Sequence, residues 1–138
     1  MITPHFGVSI LDTETQKKTN IRYTSKKNVI SKETSDVMKN VLETVVSEGG
    51  GKKAAIEGYK VGAKTGTSEK LPRRSGKYIA SCMGFAPAQN PKVIALVLID
   101  EPSGIYYGGT IAAPVISKLL DDILPYVDGK EDYGYSGN

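Results

Sequence analysis

The sequence predicts an α+β domain in which an antiparallel sheet packs against helices. The prediction depends on a helical repeat of apolar residues over 37–46, three consecutive extended segments over 57–100, and a second helical repeat over 111–124. A predicted hairpin precedes all of these elements. Strands that are grouped together, with helices before and after the group, are typical of α+β architecture.

The first part of the chain alternates loosely between apolar and polar residues, which predicts a β-hairpin. Phe6, Val8 and Ile10 would lie on one side of its first strand. Residues 12–15 (Asp-Thr-Glu-Thr) have turn chemistry, and the chain returns as an extended segment over 19–23.

The first predicted helix begins at Ser31, whose hydroxyl group can cap the backbone N–H groups of the first turn. Glu33 and Asp36 fall in the first turns, where the helix dipole favours negative charge. Apolar residues then form a broad stripe that is expected to face a core. The stripe comprises Val37, Val41 and Val45, flanked by Met38, Leu42 and Val46. Three glycines at 49–51 end the helix in a flexible loop.

Three extended segments follow this helix. Residues 57–70 favour a strand interrupted by glycines, and residues 78–86 favour a second strand after the polar loop 71–77. A Pro-Ala-Gln-Asn-Pro turn at 87–91 leads to residues 92–100 (KVIALVLID). Because this last segment is almost continuously apolar, it is predicted to be a central strand that is covered on both faces.

A Gly- and Tyr-rich loop over 103–109 separates the strands from the last predicted helix. Thr110 can cap this helix, and Pro114 lies in or near its first turn, where proline is tolerated. The predicted apolar face consists of Ile111, Val115, Leu119 and Ile123, widened by Ile116, Leu120 and Leu124. After Val127, residues 128–138 form a polar, glycine-rich tail that is expected to fray.

The 138 residues suffice for one domain with a modest core. The net charge of +3 is too small to indicate nucleic-acid binding, and the basic pairs at 52–53 and 73–74 are interpreted as solvated loop charges. No apolar run approaches the roughly 20 residues of a membrane span, and no signal peptide precedes Met1. The protein is therefore expected to be cytosolic or to carry its targeting sequence outside this chain.

Cys82 is the single cysteine, which excludes an internal disulfide. Since its neighbours are apolar and strand-like, a buried structural thiol is favoured over a reactive one. The single histidine, His5, cannot build a metal site with the scattered carboxylates around it. No metal and no other cofactor is predicted.

The most unusual local feature is the segment 61–68 (VGAKTGTS), for which several interpretations compete. A phosphate-binding P-loop needs four residues between its first glycine and Gly-Lys-Thr, and Gly58 and Gly62 have the wrong spacing. Ala63 also stands where that motif requires glycine. An ordinary strand with a surface lysine and glycine bulges is favoured by this segment taken alone, because four-residue motifs occur by chance.

A third interpretation is a strand edge that binds a carboxylate. Lys64 supplies a positive charge, and Thr65 and Thr67 supply hydroxyl groups on one face of the strand. Gly66 between them has no side chain, so the backbone of a substrate can approach and pair with the strand. The K-T-G sequence accompanies S-x-x-K and S-D-N in β-lactamases and penicillin-binding proteins.

A fourth interpretation, a complete acyl-transfer enzyme, lacks support in the rest of the sequence. No serine is followed by lysine three positions later, and the single Ser-x-Asn is 136–138, in the tail. His5 is the one possible base for a Ser-His-Asp triad, and no serine has the glycines of a nucleophile elbow. The chain therefore has a binding strand without its nucleophile.

Several further blocks of sequence occur in a definite order. They are Thr3-Pro4-His5, 29–35, 58–61 leading into 64–67, 84–91, 100–102, 106–109 and 112–115. In this order they resemble the C-terminal part of the transpeptidase domain of class B penicillin-binding proteins, which include division and sporulation enzymes. The resemblance covers residues 1–127, and the number of independent blocks makes a chance match implausible.

The resemblance implies that Lys64 helps to position the substrate and assists an active serine electrostatically. It also implies that Thr65 and Thr67 bind the carboxylate of a D-Ala-D-Ala stem peptide or of a β-lactam, at the strand opened by Gly66. The backbone N–H of Thr67 would be one of two oxyanion-hole donors, and losing such a donor costs roughly 3–4 kcal/mol of barrier stabilisation. The family more often has glycine at the position of Ala63, which is a small departure.

In this family the S-x-x-K and S-x-N motifs lie upstream, on a largely helical subdomain. Their absence has two interpretations, a natural inactive remnant or a piece of a longer protein, and the match from Met1 onwards favours the piece. The intact protein would then be a D,D-transpeptidase or carboxypeptidase at the extracytoplasmic face of the bacterial membrane, anchored outside this chain. The alternative is a noncatalytic module that binds β-lactams or peptidoglycan. This chain alone is expected to be inactive and to self-associate through apolar sheet surface.

Overall fold

The computed structural model describes residues 3–128. The chain divides into two compact units, Met1–Ser35 and Asp36–Asn138. In the first unit, strand β1 (Ser9–Leu11) pairs antiparallel with strand β2 (Lys18–Asn20), so the predicted hairpin is confirmed with shorter strands than expected.

The turn of this hairpin is held by the predicted polar residues. The Asp12 carboxylate accepts hydrogen bonds from the backbone N–H groups of Thr15 at 3.0 Å and Glu14 at 2.9 Å. Because these bonds favour the ionised carboxylate, they hold the pKa of Asp12 below its usual range. In the same unit the His5 ring stacks on Tyr23 at a centroid distance of 3.8 Å.

The remaining elements, in chain order, are helix α1 (Lys32–Ser47), a one-turn 3-10 helix (Lys52–Ala54), strands β3 (Gly62–Glu69), β4 (Tyr78–Ala86) and β5 (Val93–Asp100), and helices α2 (Gly108–Ile111) and α3 (Ala113–Val127). The three strands form an antiparallel sheet in the order β3-β4-β5. Ser31 caps α1 as predicted, because its Oγ accepts the N–H of Thr34 at 3.1 Å. The α+β class is thereby confirmed.

One face of the sheet is covered by α2 and α3. Its buried or half-buried side chains alternate along each strand. They are Ala63 and Thr65 of β3, Ala80, Cys82 and Ala86 of β4, and Val93, Ala95, Val97 and Ile99 of β5. Against this face, α3 buries Ile116, Leu120 and Leu124 completely. Full burial of an aliphatic side chain of this size contributes about 1.5–3 kcal/mol relative to exposure.

The prediction that residues 92–100 form a central strand covered on both faces is wrong. Among residues 3–128, β5 lies at the end of the sheet and β4 is the central strand. Side chains of β5 alternate between half-buried and exposed, and Ile94, Leu96 and Leu98 are 62–68% exposed. The apolar composition of this segment did not predict its position, because the place of a strand in a sheet depends on non-local pairing and composition reports only local preference.

The predicted start and face of the last helix also need correction. Thr110 caps nothing, since α2 already begins at Gly108 and α3 begins after Ala112. The buried stripe of α3 consists of Ile116, Leu120 and Leu124, which were predicted only to widen the apolar face. Val115 and Leu119, predicted to lie at its centre, are 46% and 38% exposed. A helix with apolar residues on more than one side leaves its orientation to the packing partner.

The apolar stripe of α1 is covered only at its C-terminal end in the described part of the chain. Val46 is buried in the core, whereas Val37 and Val41 are 59% and 49% exposed. The predicted core-facing stripe is therefore wrong for the first half of the helix. Of the predicted tail 128–138 only Asp128 is described, and its carboxylate binds the Tyr59 hydroxyl at 2.8 Å.

Candidate substrate-binding edge

The Lys-Thr-Gly-Thr segment lies on β3, at an edge of the sheet. In the described part of the chain β3 has a single strand partner, β4, which leaves its other edge open. The strand begins buried at Gly62 and Ala63 and becomes exposed at Lys64 and Thr67. The segment that the sequence singles out is therefore accessible to a ligand.

The hydrogen-bonding pattern of β3 and β4 decides which backbone groups face this open edge. Gly66 lies opposite Ser81, and a β-carbon built on Gly108 would overlap the carbonyl oxygens of both residues. The two oxygens therefore lie close together between the strands, as they do in a pair that exchanges both hydrogen bonds. By alternation, the backbone N–H and C=O groups of Thr65 and Thr67 point away from β4, to the open edge.

Lys64 brings positive charge to the same edge. Its side chain leaves the strand on the face opposite to both threonines, because successive side chains alternate. Its Nζ nevertheless donates to the carbonyl oxygen of Thr65 at 2.6 Å, so the ammonium group lies beside the outward-facing backbone. A carboxylate at this edge would receive charge-assisted hydrogen bonds, which are about twice as strong as neutral ones.

The threonine side chains share the face that α2 covers. The backbone N–H of Gly108 donates to Thr67 Oγ1 at 3.1 Å. A β-carbon built on Gly109 would lie 3.6 Å from Thr65 Cγ2 and 2.6 Å from the carbonyl oxygen of Gly50. The first turn of α2 thus packs between the strand and the glycine loop, where two side chains would not fit.

Sequence reasoning missed the contribution of Gly108. The residue was assigned to a loop because Gly and Tyr are typical of loops. The available signal was the Gly108-Gly109 pair directly before an apolar repeat, since adjacent glycines permit close backbone approach. Nothing local indicates that the approached backbone is β3.

Cys82 lies opposite Thr65 in the ladder and is fully buried, as the sequence predicts. Burial raises the pKa of the Cys82 thiol, and the positive charge of Lys64 offsets part of this increase. The thiol is part of the buried core on the helix-covered face of the sheet. It is not exposed as a nucleophile.

Ion pairs link the far ends of the three strands. Lys70 Nζ contacts Asp100 at 2.9 Å and Glu101 at 2.8 Å, and Lys77 contacts Glu101 at 3.1 Å. Hydrogen bonds to these carboxylates raise the pKa of Lys70, and the two lysines lower the pKa of Glu101. All of these groups are accessible to solvent, so salt screens them and their contribution to stability is small.

Two further features are absent from residues 3–128. No group of three His, Cys, Asp or Glu side chains could hold a metal ion there. Within the same range, no helix has the length and apolar character needed to cross a membrane.

The family model of the penicillin binding protein transpeptidase domain matches residues 1–121. The chain belongs to the penicillin-binding protein transpeptidase family. Stage V sporulation protein D of Bacillus subtilis (strain 168) is 42% identical over 132 residues, which are 91% of this chain and 20% of that protein. Peptidoglycan D,D-transpeptidase FtsI of Buchnera aphidicola subsp. Baizongia pistaciae is 41% identical over 111 residues, which are 77% of this chain and 19% of that protein.

A solved structure from the same family has a similar fold. It is the transpeptidase domain of the FtsI4 D,D-transpeptidase from Legionella pneumophila, with 36% identity and a TM-score of 0.62 over 69% of this chain and 37% of that one. The chain therefore spans about a fifth of the curated relatives and about a third of a solved transpeptidase domain from the family.

Proposed function

We propose that this chain is the substrate-binding part of a peptidoglycan D,D-transpeptidase, an enzyme that cross-links the cell wall by serine acyl transfer. The observation that carries the proposal is the open edge of β3, where the Lys64 ammonium group lies beside the outward-facing backbone of Thr65 and Thr67. Such an edge suits an extended peptide that ends in a carboxylate, because main-chain pairing and the cation act on neighbouring atoms of the ligand.

The proposed roles are those that the family resemblance implies, and this placement supports them. Lys64 and the hydroxyl groups of Thr65 and Thr67 bind the carboxylate of a D-Ala-D-Ala stem peptide or of a β-lactam. Gly66 leaves room for the ligand backbone. The outward N–H of Thr67 supplies one oxyanion-hole donor, and the second comes from a serine nucleophile outside this chain.

Acyl transfer through a serine ester needs no metal or cofactor from this chain. In the longer protein that we propose, the upstream part contributes S-x-x-K and S-x-N, and an anchor holds the enzyme at the extracytoplasmic face of the membrane. By itself the chain is proposed to bind without turnover. The second candidate is a noncatalytic module that binds β-lactams or peptidoglycan, and it is favoured by the absence of any Ser-x-x-Lys from these 138 residues.

The gene sequence upstream of Met1 separates these two candidates. An S-x-x-K motif in the same reading frame supports the enzyme, whereas an open reading frame without it supports the module. Both candidates require the binding edge, which is tested on the chain itself.

For this test, the isotope-labelled chain is titrated with N-acetyl-L-lysyl-D-alanyl-D-alanine while its backbone amide resonances are followed. We expect the largest shifts at the amides of Thr65 and Thr67, because their N–H groups face the ligand. The peptide with a C-terminal amide is the matched ligand and should bind at least about tenfold more weakly, since a hydrogen bond to a charged group contributes roughly 1.5–3 kcal/mol.

Lys64→Met supplies the protein control, because it removes the charge and keeps most of the unbranched side chain. This variant should bind the acid and the amide with nearly equal affinity. Equal affinity of the unaltered chain for both peptides would contradict a carboxylate site. So would shifts confined to residues away from β3.

We also propose that the 138-residue chain self-associates through β5, the other edge of the sheet. Because Ser81 is hydrogen-bonded to Gly66 of β3, the even-numbered residues of β4 direct their backbone groups to β5. Their partners are the odd-numbered residues of β5, so the even-numbered residues of β5 direct their backbone groups to the open edge. The strand has no proline, and Ile94, Leu96 and Leu98 form an apolar row on its exposed face. Long, apolar, unprotected edges of this kind are templates for pairing.

A second copy fits this edge in one antiparallel register. If Leu96 pairs with Leu96 of the other copy, Ile94 lies opposite Leu98 and the apolar rows become continuous. The same register places Lys92 opposite Asp100, so the ends of the strands carry opposite charges. A longer protein with the rest of a transpeptidase domain would compete for this edge, so the proposal concerns the chain by itself.

A further inference from the structure

The hydrogen bond between Gly108 and Thr67 restricts what the threonine hydroxyl can do. A backbone N–H can only donate, so Thr67 Oγ1 is the acceptor in the 3.1 Å contact. A hydroxyl group has one hydrogen to donate, and no second hydrogen-bond partner of this hydroxyl lies within residues 3–128. The hydrogen is therefore left for a group that approaches from solvent.

The position of the donor is set by close backbone packing. α2 presses Gly108 against the ladder so tightly that a β-carbon there would overlap the carbonyl oxygens of Gly66 and Ser81. Both oxygens belong to the pair directly beside Thr67 in the ladder. The N–H of Gly108 thus has a fixed distance from the strand, because any larger residue would push α2 away from it.

We infer that Gly108 is a positioning residue for carboxylate recognition: its N–H occupies an acceptor site of Thr67 Oγ1 and leaves the hydroxyl as a donor to the ligand. This inference rests on the proposed function and adds a residue outside the Lys-Thr-Gly-Thr segment to it. An anion needs donors, and a threonine that already accepts one bond presents its hydrogen without competition from a neighbouring carbonyl.

The arrangement predicts a coupling between the ligand and Gly108. When the hydroxyl donates to a carboxylate, its oxygen becomes a better acceptor, because linked hydrogen bonds polarise one another. The bond from Gly108 should then strengthen, although Gly108 itself is buried. Its amide resonance should move downfield as the ligand binds.

The test uses the full 138-residue chain, N-acetyl-L-lysyl-D-alanyl-D-alanine, and four variants, one of which is Gly108→Ala. Thr67→Val removes the hydroxyl and preserves the shape of the side chain. Thr67→Ser restores the hydroxyl. Thr44→Val is the matched control, since that hydroxyl donates within α1 to the carbonyl of Val41 at 2.7 Å.

We expect the Gly108 amide to shift downfield on titration of the unaltered chain, Thr67→Ser and Thr44→Val. In Thr67→Val this response should vanish, the Gly108 amide hydrogen should exchange faster with solvent, and the peptide should bind roughly tenfold more weakly. Gly108→Ala should show the same loss of affinity, provided that this variant folds. If the variant does not fold, the Thr67 variants still test the inference.

The inference is overturned if the peptide shifts the amides of Thr65 and Thr67 normally while Thr67→Val keeps either its affinity or its Gly108 response. That result would remove the role proposed for the Thr67 hydroxyl and leave the rest of the proposed function, a binding edge made by Lys64 and the outward-facing backbone of β3, intact. Failure of the proposed function looks different, because the peptide would then shift no edge amide in the unaltered chain, and the inference would fall with it.

Discussion

A methyl group of Ile116 lies directly against the α-carbon of Gly84, and a β-carbon built on Gly84 would come within 2.5 Å of Ile116 Cγ2. Gly84 is in the central strand, on the face that α3 covers, and Ile116 is completely buried. The helix therefore approaches the sheet closely at this point, and the volume of each residue is limited by the other.

Gly84→Ala should destabilise the chain by about 1–3 kcal/mol, because the added methyl group overpacks this contact. Ile116→Leu removes the β-branch that occupies the space, so the double variant should recover part of the loss. Urea unfolding measures both effects. Gly50→Ala is the control, since a β-carbon there meets nothing within 4 Å. Equal effects of the two alanine substitutions would show that the contact with Ile116 is unimportant.

Cys82 should react slowly with a thiol reagent such as 5,5′-dithiobis(2-nitrobenzoate) in the folded chain. Burial removes access and raises the pKa of the thiol, which lowers the thiolate fraction. We expect the rate in native buffer to be at least about tenfold below the rate in denaturing guanidinium, because the loss of access and the smaller thiolate fraction act in the same direction. Comparable rates in both solvents would place Cys82 at the surface.

The same thiol predicts a dependence of stability on pH. Its pKa in the folded chain lies above the unfolded value of about 8.5, so its contribution is fully present below that pH. The contribution is lost as the pH rises through the folded pKa, because the unfolded chain releases the proton first. Unfolding free energies between about pH 7 and pH 10 should fall less for Cys82→Ala than for the unaltered chain. Parallel curves would contradict this assignment.

Incubation of the chain with benzylpenicillin should give no covalent adduct. The edge is expected to bind the carboxylate of the drug, but no Ser-x-x-Lys nucleophile is present in the sequence. Intact-mass measurement checks the expectation, and heat-denatured chain corrects for nonspecific acylation of lysines. A stoichiometric gain of one drug mass in the folded chain alone would reveal a nucleophile that sequence reasoning missed.

Sedimentation velocity should show a concentration-dependent dimer of the isolated chain. Leu96→Lys should abolish it, because the register on β5 places residue 96 opposite its own copy and like charges would then meet. Val41→Lys is the matched control, since Val41 is an exposed apolar residue of α1 at 49% accessibility. A monomer at all concentrations would refute pairing through β5, and equal effects of both variants would place the interface elsewhere.

Local chemistry was sufficient to predict most of the elements. The hairpin turn at Asp12, the N-cap at Ser31 and the strand 78–86 depend on neighbours within a few residues, so composition and spacing report them directly. Where a prediction was wrong, the observed structure depended on contacts with residues distant in sequence. The apolar run of β5 was assigned to the centre of the sheet, although the strand order leaves it at the end.

The same division applies to the proposed binding edge. The sequence by itself determined the Lys-Thr-Gly-Thr segment and, through the order of its blocks, the family of the chain. Only the tertiary structure decided which side of β3 stays open, that Lys64 Nζ turns to that edge, and that Gly108 donates to Thr67 across 41 residues. Residue types and spacings are local properties of a chain, whereas contacts between distant backbones exist only after packing has brought them together.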